Sequence, residues 1–226
     1  TGPMIHSLSQ AISAYRTIAQ SDGKSPRTIE WVESSACYLQ KFLGDDVSLE
    51  AITPHEVKRW VLGLRQRKRW PGRPEMKDER PLSATSINNY VRGVKLLLST
   101  LAREGLIAPH PVAAMKAPSP AKVVIKPFSQ QELRKVFKAL GETEHPHRNR
   151  AIVGLMFDPG LRLSEAVGLK VLEVDLNERS LSVLGKGAKE RYVPFTQPAK
   201  RAVFRYLRIR EDDNPELWVT DEGKPM

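Results

Sequence analysis

The sequence contains a single cysteine, Cys37, which excludes an internal disulfide and is typical of a protein from a reducing compartment. It has no apolar run near the roughly 20 residues that a membrane-spanning helix needs, and no signal-peptide core at its N-terminus. We therefore expect a cytoplasmic protein and no membrane insertion. Cys37 itself lies among apolar residues at helical spacing, which predicts a buried core thiol and not a reactive group.

Acidic side chains are scarcer than basic ones: 26 Asp and Glu face 36 Lys and Arg, which leaves a formal net charge of +10. Such an excess of cations on a folded surface most often meets a polyanion, with nucleic acid as the first candidate and an anionic membrane surface as the second. The content of 40% apolar and 27% charged residues is ordinary for a soluble globular protein and excludes disordered and fibrous classes. At 226 residues the chain is long enough for two domains.

The first half of the chain predicts a helical domain. Four apolar stripes at spacings of three and four each follow a residue type that caps helices, namely Ser7, Ser25, Thr53 and Ser83. Prolines stand at the first helical position after Ser25 and after Thr53, and Thr53 with Glu56 has the pattern of a capping box. We therefore expect four helices before the middle of the chain.

A proline-rich stretch divides the chain. Prolines crowd residues 109–127, and because proline cannot continue a helix, this stretch is predicted to be extended and semi-rigid. We expect one domain over residues 1–117, a linker over 118–126 and a second domain over 127–226.

The second domain combines helices with short strands. Ser129 and Glu132 form another capping box, which begins a helix. Residues 145–147 interrupt the helical pattern, and an apolar helix follows over residues 150–157. Short strands are expected near residues 172–176, 180–184 and 191–195. A last helix begins at Pro198. The predicted fold class is mainly α with a small antiparallel sheet.

Cations are concentrated between the third and fourth predicted helices, in a segment that prolines and a glycine exclude from regular structure. The residues that we assign to DNA binding there are Arg65, Arg67, Lys68, Arg69 and Arg73. One interpretation is a solvated charge run that only aids solubility. In a chain this basic, with Trp60 and Trp70 nearby, we favour contact with nucleic-acid phosphates.

Residues 160–165, with the sequence GLRLSE, place an arginine where a glycine lets the chain turn into a helix. The planar guanidinium of Arg162 donates two parallel hydrogen bonds and stays ionised, which suits the non-bridging oxygens of a phosphodiester. Glu165 lies one helical turn further on the same face and can orient that guanidinium or a neighbouring donor. Lys186, between two glycines at the tip of a predicted hairpin, can protonate a leaving alkoxide as a general acid.

Each of these features has an ordinary explanation when it is taken alone. Arg162 with Glu165 is typical of a surface pair on a helix, and Lys186 is typical of a turn. Residues 185–187 are not a phosphate-binding P-loop, because the upstream glycine and the following Ser or Thr are missing. Only the combination, in this order and at this spacing, favours phosphodiester chemistry.

In this combination the sequence resembles the tyrosine recombinases, or phage integrases, over essentially its whole length. Residues 25–29 and 83–88 match helix starts of the family's helical, SAM-like core-binding domain, and residues 127–133 resemble the entry to its catalytic domain. Residues 158–165 match the family's first arginine box. Pro159 stands where the family usually has threonine, a difference that we expect to alter the turn without removing the arginine.

The resemblance implies roles for individual residues. Arg162 would clamp the scissile phosphate, Glu165 would be the supporting acid, and Lys186 would be the hairpin lysine that protonates the leaving oxygen. Lys189 and Arg191, on the same hairpin, are assigned to DNA binding. The family needs no metal and no nucleotide cofactor, so we expect neither here.

The family's His-x-x-Arg box, its second His or Trp and its nucleophilic tyrosine have no counterpart before residue 226. We therefore expect the N-terminal portion of a site-specific DNA recombinase, ending in a truncated α+β catalytic domain, that binds duplex DNA without cleaving it. The whole enzyme would use a 3′-phosphotyrosine intermediate within a tetramer of recombinase protomers on DNA. The alternatives are a non-catalytic protein that occupies recombination or promoter sites and, more remotely, an RNA-binding protein.

Overall fold

The computed structural model describes residues 5–45, 47–67, 80–119, 124–185 and 190–226. The chain divides into two compact units, Thr1–Val124 and Ile125–Met226. The predicted fold class, mainly α with a small antiparallel sheet, is confirmed. None of the helices in the described ranges combines the length and the apolar content that crossing a membrane requires.

The first unit is helical. Its elements are α1 Leu8–Ser21, α2 Pro26–Leu43, α3 Pro54–Gln66, α4 Ala84–Arg103 and the short α5 Pro111–Ala114. The four expected caps are confirmed, since each side-chain oxygen accepts the backbone N–H three residues on. The capping box expected at Thr53 is only half formed, because the carboxylate of Glu56 binds Arg59 at 2.9 Å instead.

The core of the first unit forms where α2 and α4 approach closely. Leu97, Leu98 and Leu101 of α4 are fully buried, and Gly93 lies so near Ser35 of α2 that a side chain at position 93 would clash. Cys37 is only half-buried, so the expectation of a buried thiol was wrong. The two residues just before Cys37 lie on the buried face of α2. Cys37 is rotated about 100° around the helix axis from the nearer of them, which turns its side chain away from the centre of that face.

The second unit carries the mixed part of the fold. Its elements are α6 Gln130–Leu140, α7 Pro146–Phe157, α8 Leu163–Val167, β1 Val174–Asp175, β2 Ser180–Leu184, β3 Glu190–Pro194 and α9 Gln197–Leu207. The expected interruption at residues 145–147 was wrong. His145 immediately precedes α7 and Pro146 occupies its first turn, where a missing N–H costs nothing.

The sheet of the described residues is antiparallel in the order β1, β2, β3. Leu181 and Val183 are buried and alternate with half-buried serines, as the period-two pattern predicted. β1 is shorter than expected because a 3₁₀ turn, Val171–Glu173, occupies the residues just before it.

The segment after α9 packs beneath α8. Trp218 is buried, its ring stacks on that of Tyr206 with centroids 5.4 Å apart, and its indole N–H donates to the carbonyl of Ala166 in α8. The backbone N–H of Leu217 donates to the carbonyl of Leu169 at 2.7 Å. These contacts hold α8 in place from the side of the core.

Candidate functional site

The turn between α7 and α8 carries the candidate site. Gly160 has φ +71°, a left-handed conformation that favours glycine, and Leu161 is buried directly after it. Arg162 is the extended residue that precedes α8. The carboxylate of Asp158, before the turn, accepts the backbone N–H of Thr196 at 2.6 Å, which ties the turn to the start of α9. Local sequence and one long-range contact therefore fix the position from which the side chain of Arg162 projects.

Glu165 is the most enclosed charged group of the site, with a side chain that is only 7% exposed. Its carboxylate accepts the backbone N–H of Arg162 at 3.0 Å and Nη1 of Arg162 at 2.8 Å. It also accepts hydrogen bonds from Nη1 and Nη2 of Arg191, both at 3.0 Å. These bonds lower the pKa of Glu165 from 4.5 to about 2. The bonds from Arg191 have the largest effect on this pKa, and the backbone bond from Arg162 has the second largest. Glu165 is therefore an ionised acceptor at neutral pH.

The guanidinium of Arg162 is oriented and open to solvent at once. Its side chain is 73% exposed, although one of its terminal nitrogens is bound to Glu165. Within the described part of the chain, its Nε and Nη2 donate to no other group. An arginine held from behind by a carboxylate, with donors facing outward, can grip the oxygens of a phosphate.

Arg191 lies on β3, and its side chain is 40% exposed. We predicted a DNA contact for Arg191, whereas the structure places both of its terminal nitrogens on Glu165. The alternation of residues across a strand carried a signal for the face that Arg191 takes, although not for its partner. Arg191 is paired with the buried Val183, so it faces the covered side of the sheet, where a cation requires an acidic partner.

Several predicted residues lie outside the described residues, namely Lys186 and Lys189 of the hairpin and Lys68, Arg69 and Arg73 of the basic segment. Their assignments stay predictions. Of the remaining two, Arg65 is exposed near the end of α3. The guanidinium of Arg67 lies 4.4 Å from the centre of the Tyr38 ring, so this cation packs on an aromatic face.

A separate cavity of about 570 Å³ is formed by the start of α7, the end of α9 and the C-terminal segment. The ligand atoms of Glu144, His145 and Asp221 at its edge lie within 4.8 Å of one another, a donor set that could hold a divalent cation. However, Nδ1 of His145 already lies 3.2 Å from the carboxylate of Asp221, and Arg148 lines the same cavity. Because the guanidinium of Arg148 adds a positive charge to the lining of this cavity, we assign no metal to it.

Comparison with known proteins gives the same family as the resemblance. Residues 126–226 match the model of the phage integrase family. The tyrosine recombinase XerC of Lactobacillus leichmannii is 31% identical over 153 residues, which are 64% of this chain and 52% of that protein. The tyrosine recombinase XerA of Pyrococcus furiosus is 29% identical over 217 residues, 96% of this chain and 67% of that protein. The chain thus spans about half the length of the curated XerC relative.

Solved structures share the fold. A lambda integrase tetramer bound to a Holliday junction matches with a TM-score of 0.73 at 18% identity, over 97% of this chain and 61% of that one. The Tn1549 transposon integrase in complex with a circular intermediate DNA matches with a TM-score of 0.70 at 17% identity, over 98% of this chain and 73% of that one. These structures show that the chain shares the integrase fold, and the family model assigns its residues 126–226 to the phage integrase family.

Proposed function

We propose that the chain is part of a site-specific DNA recombinase, that it binds duplex DNA, and that Arg162 clamps the phosphate to be cut. The observation that carries this proposal is the arrangement of Arg162 on Glu165. The carboxylate is enclosed and ionised, whereas the guanidinium that it orients is 73% exposed. An ion pair with so exposed a partner contributes little to stability, so stability alone does not account for this arrangement.

The chemistry follows from the donor geometry. As a nucleophile attacks phosphorus, charge grows on the non-bridging oxygens, and a guanidinium whose direction is already set stabilises that charge without reorganising. Glu165 supplies the direction because its two oxygens hold both the backbone and the side chain of Arg162. Lys186 is proposed as the acid that protonates the leaving 5′-oxygen.

The rest of the chain is proposed to hold the duplex. We assign residues 1–117 to a core-binding domain and residues 127–226 to part of the catalytic domain, joined by a linker over residues 118–126. The net charge of +10 favours a polyanionic partner. The related lambda integrase structure is a tetramer bound to a Holliday junction, and the related Tn1549 integrase is in complex with a circular intermediate DNA, which supports duplex DNA and further protomers as partners.

The nucleophile separates two versions of the proposal. In the second unit, Tyr206 is buried against Trp218, and Tyr192 is exposed on the face of β3 opposite to Arg191. Because Tyr206 is enclosed in the core and Tyr192 lies on the face of β3 away from the Glu165–Arg191 pair, we propose neither phenol as the nucleophile. A complete enzyme would therefore need another tyrosine to form the 3′-phosphotyrosine intermediate, and the chain alone is expected to bind without cleaving.

The same observation favours the alternative of a non-catalytic protein that occupies recombination or promoter sites. The reading frame beyond codon 226 distinguishes the two. A downstream His-x-x-Arg segment and tyrosine support the enzyme, whereas a stop codon supports the binding protein.

Binding itself is tested by fluorescence anisotropy with a labelled duplex at increasing KCl, in competition with duplex RNA of matched length. We expect a log-log slope of about −0.9 for each phosphate contact and clear preference for DNA. A slope near zero, or equal competition by RNA, contradicts the proposal.

Cleavage is tested by selecting the tightest duplexes from a randomised pool and placing a nick in them, so that a cut strand is released. We expect no covalent protein–DNA adduct on a denaturing gel. An adduct would show that one of the tyrosines in this chain is the nucleophile.

A further inference from the structure

We propose that Arg191 is a positioning residue that holds Glu165 and, through Glu165, sets the direction of the Arg162 guanidinium. The inference rests on the proposed function, since it assigns a role toward the phosphate clamp. It also replaces our sequence-based assignment of Arg191 to DNA binding.

The first argument is the geometry of the guanidinium. Arg191 places Nη1 on one oxygen of Glu165 and Nη2 on the other, each at 3.0 Å. A parallel pair of this kind occupies the two donors with which arginine grips a carboxylate or a phosphate. Arg191 therefore has both terminal nitrogens committed to Glu165, whereas Arg162 commits only Nη1 of its guanidinium among the described residues.

The second argument is burial. The side chain of Glu165 is 7% exposed, and an ionised carboxylate in such a place must be compensated by nearby donors. Arg162 is 73% exposed and gives the carboxylate one side-chain bond, whereas Arg191 is 40% exposed and gives it two. Arg191 is also the largest cause of the lowered pKa of Glu165. Without Arg191, one exposed arginine would have to neutralise the carboxylate alone.

The third argument is the element that carries each partner. Arg191 is fixed by its pairing with Val183 in the middle of β3, and Glu165 belongs to α8, which packs on Trp218. The bidentate bond therefore joins the sheet to the helix that carries the clamp. Because both elements are anchored in the core, Glu165 is held by its own helix and by a residue of the sheet.

The test uses the 226-residue chain and a charge-matched control. Arg191→Gln and Arg205→Gln each remove one cation from the second unit, and Arg205 is exposed on α9. Carbon-13 NMR of the Glu165 carboxyl is expected to report a pKa of about 2 in the parent chain and in Arg205→Gln. In Arg191→Gln we expect this pKa to rise toward 4.5, and the side-chain order parameter of Arg162 to fall while backbone order is kept.

Duplex binding separates the inference from a direct phosphate contact. If Arg191 only positions Glu165, Arg191→Gln and Arg205→Gln give the same salt slope. A slope that falls by about 0.9 in Arg191→Gln alone, with Arg162 as ordered as in the parent chain, overturns the inference and makes Arg191 a phosphate contact.

Two further variants guard against a folding defect. Arg191→Lys keeps the charge without the fork and is expected to give intermediate values of the pKa and of the Arg162 order parameter. Glu165→Gln keeps the length and shape of the side chain, and it is expected to lower the side-chain order parameters of both arginines. If Arg162 stays ordered in Arg191→Gln and in Glu165→Gln, the inference is wrong. If the parent chain fails to bind duplex DNA, the proposed function fails, and the NMR measurements still decide whether Arg191 orders Arg162.

Discussion

Replacing Gly160 by alanine tests the turn that presents Arg162. Gly160 has φ +71°, and a Cβ built there would meet no atom within 4 Å. The penalty is therefore conformational and not steric. A residue other than glycine in the left-handed region costs roughly 1–2 kcal/mol, and the smaller entropy of the unfolded chain offsets about 0.4–1 kcal/mol of it. We expect Gly160→Ala to lower the free energy of unfolding of the second unit by about 1 kcal/mol.

Gly154 provides a matched control six positions earlier. It is buried inside α7, has an ordinary helical backbone, and its added Cβ would also meet no atom within 4 Å. Because alanine loses less entropy than glycine in a helix, Gly154→Ala should stabilise the same unit by about 0.5–1 kcal/mol. The same chemical change is thus expected to act with opposite signs at two nearby positions.

Urea unfolding followed through the indole N–H signal of Trp218 measures both variants. This group is buried in the second unit and donates to the carbonyl of Ala166, so its signal reports that unit alone. With an m-value of about 1–3 kcal/mol/M, a change of 1 kcal/mol moves the midpoint by roughly 0.3–1 M. A midpoint that does not fall in Gly160→Ala, or that moves in the same direction in both variants, would refute the left-handed turn.

Three further results are expected. Because the pKa of Glu165 is lowered to about 2, its ionised form stabilises the fold above about pH 4.5, and this stabilisation is lost as the pH falls toward 2. The melting temperature of Glu165→Gln should therefore vary less between pH 4.5 and pH 2 than that of the parent chain. Ser129→Ala removes the oxygen that accepts the Glu132 backbone N–H, so α6 should lose about 1 kcal/mol of protection in amide hydrogen exchange, and unchanged protection would exclude the cap. Arg65→Ala should reduce the salt slope of duplex binding by about 0.9, whereas Arg67→Ala should reduce it less because Arg67 packs on Tyr38; equal effects would contradict that packing.

The sequence alone determined the features that depend on neighbours along the chain. The cap of Ser129 on the backbone N–H of Glu132 spans three residues, so its residue types were sufficient to place the start of α6. The turn at Gly160 and the bond between Arg162 and Glu165 are equally local. The arginine box was readable for this reason, and the family could be identified from it.

Tertiary structure decided which cation joins the site. Arg191 and Glu165 are 26 residues apart, on a strand and on a helix, and the indole of Trp218 reaches Ala166 across 52 residues. No local rule states that these elements meet, because their meeting depends on how the sheet and the C-terminal segment pack around α8. From the sequence, Arg191 therefore looked like one more surface cation in a basic chain. Only the packed fold shows that its guanidinium binds the carboxylate of Glu165, which also binds Arg162.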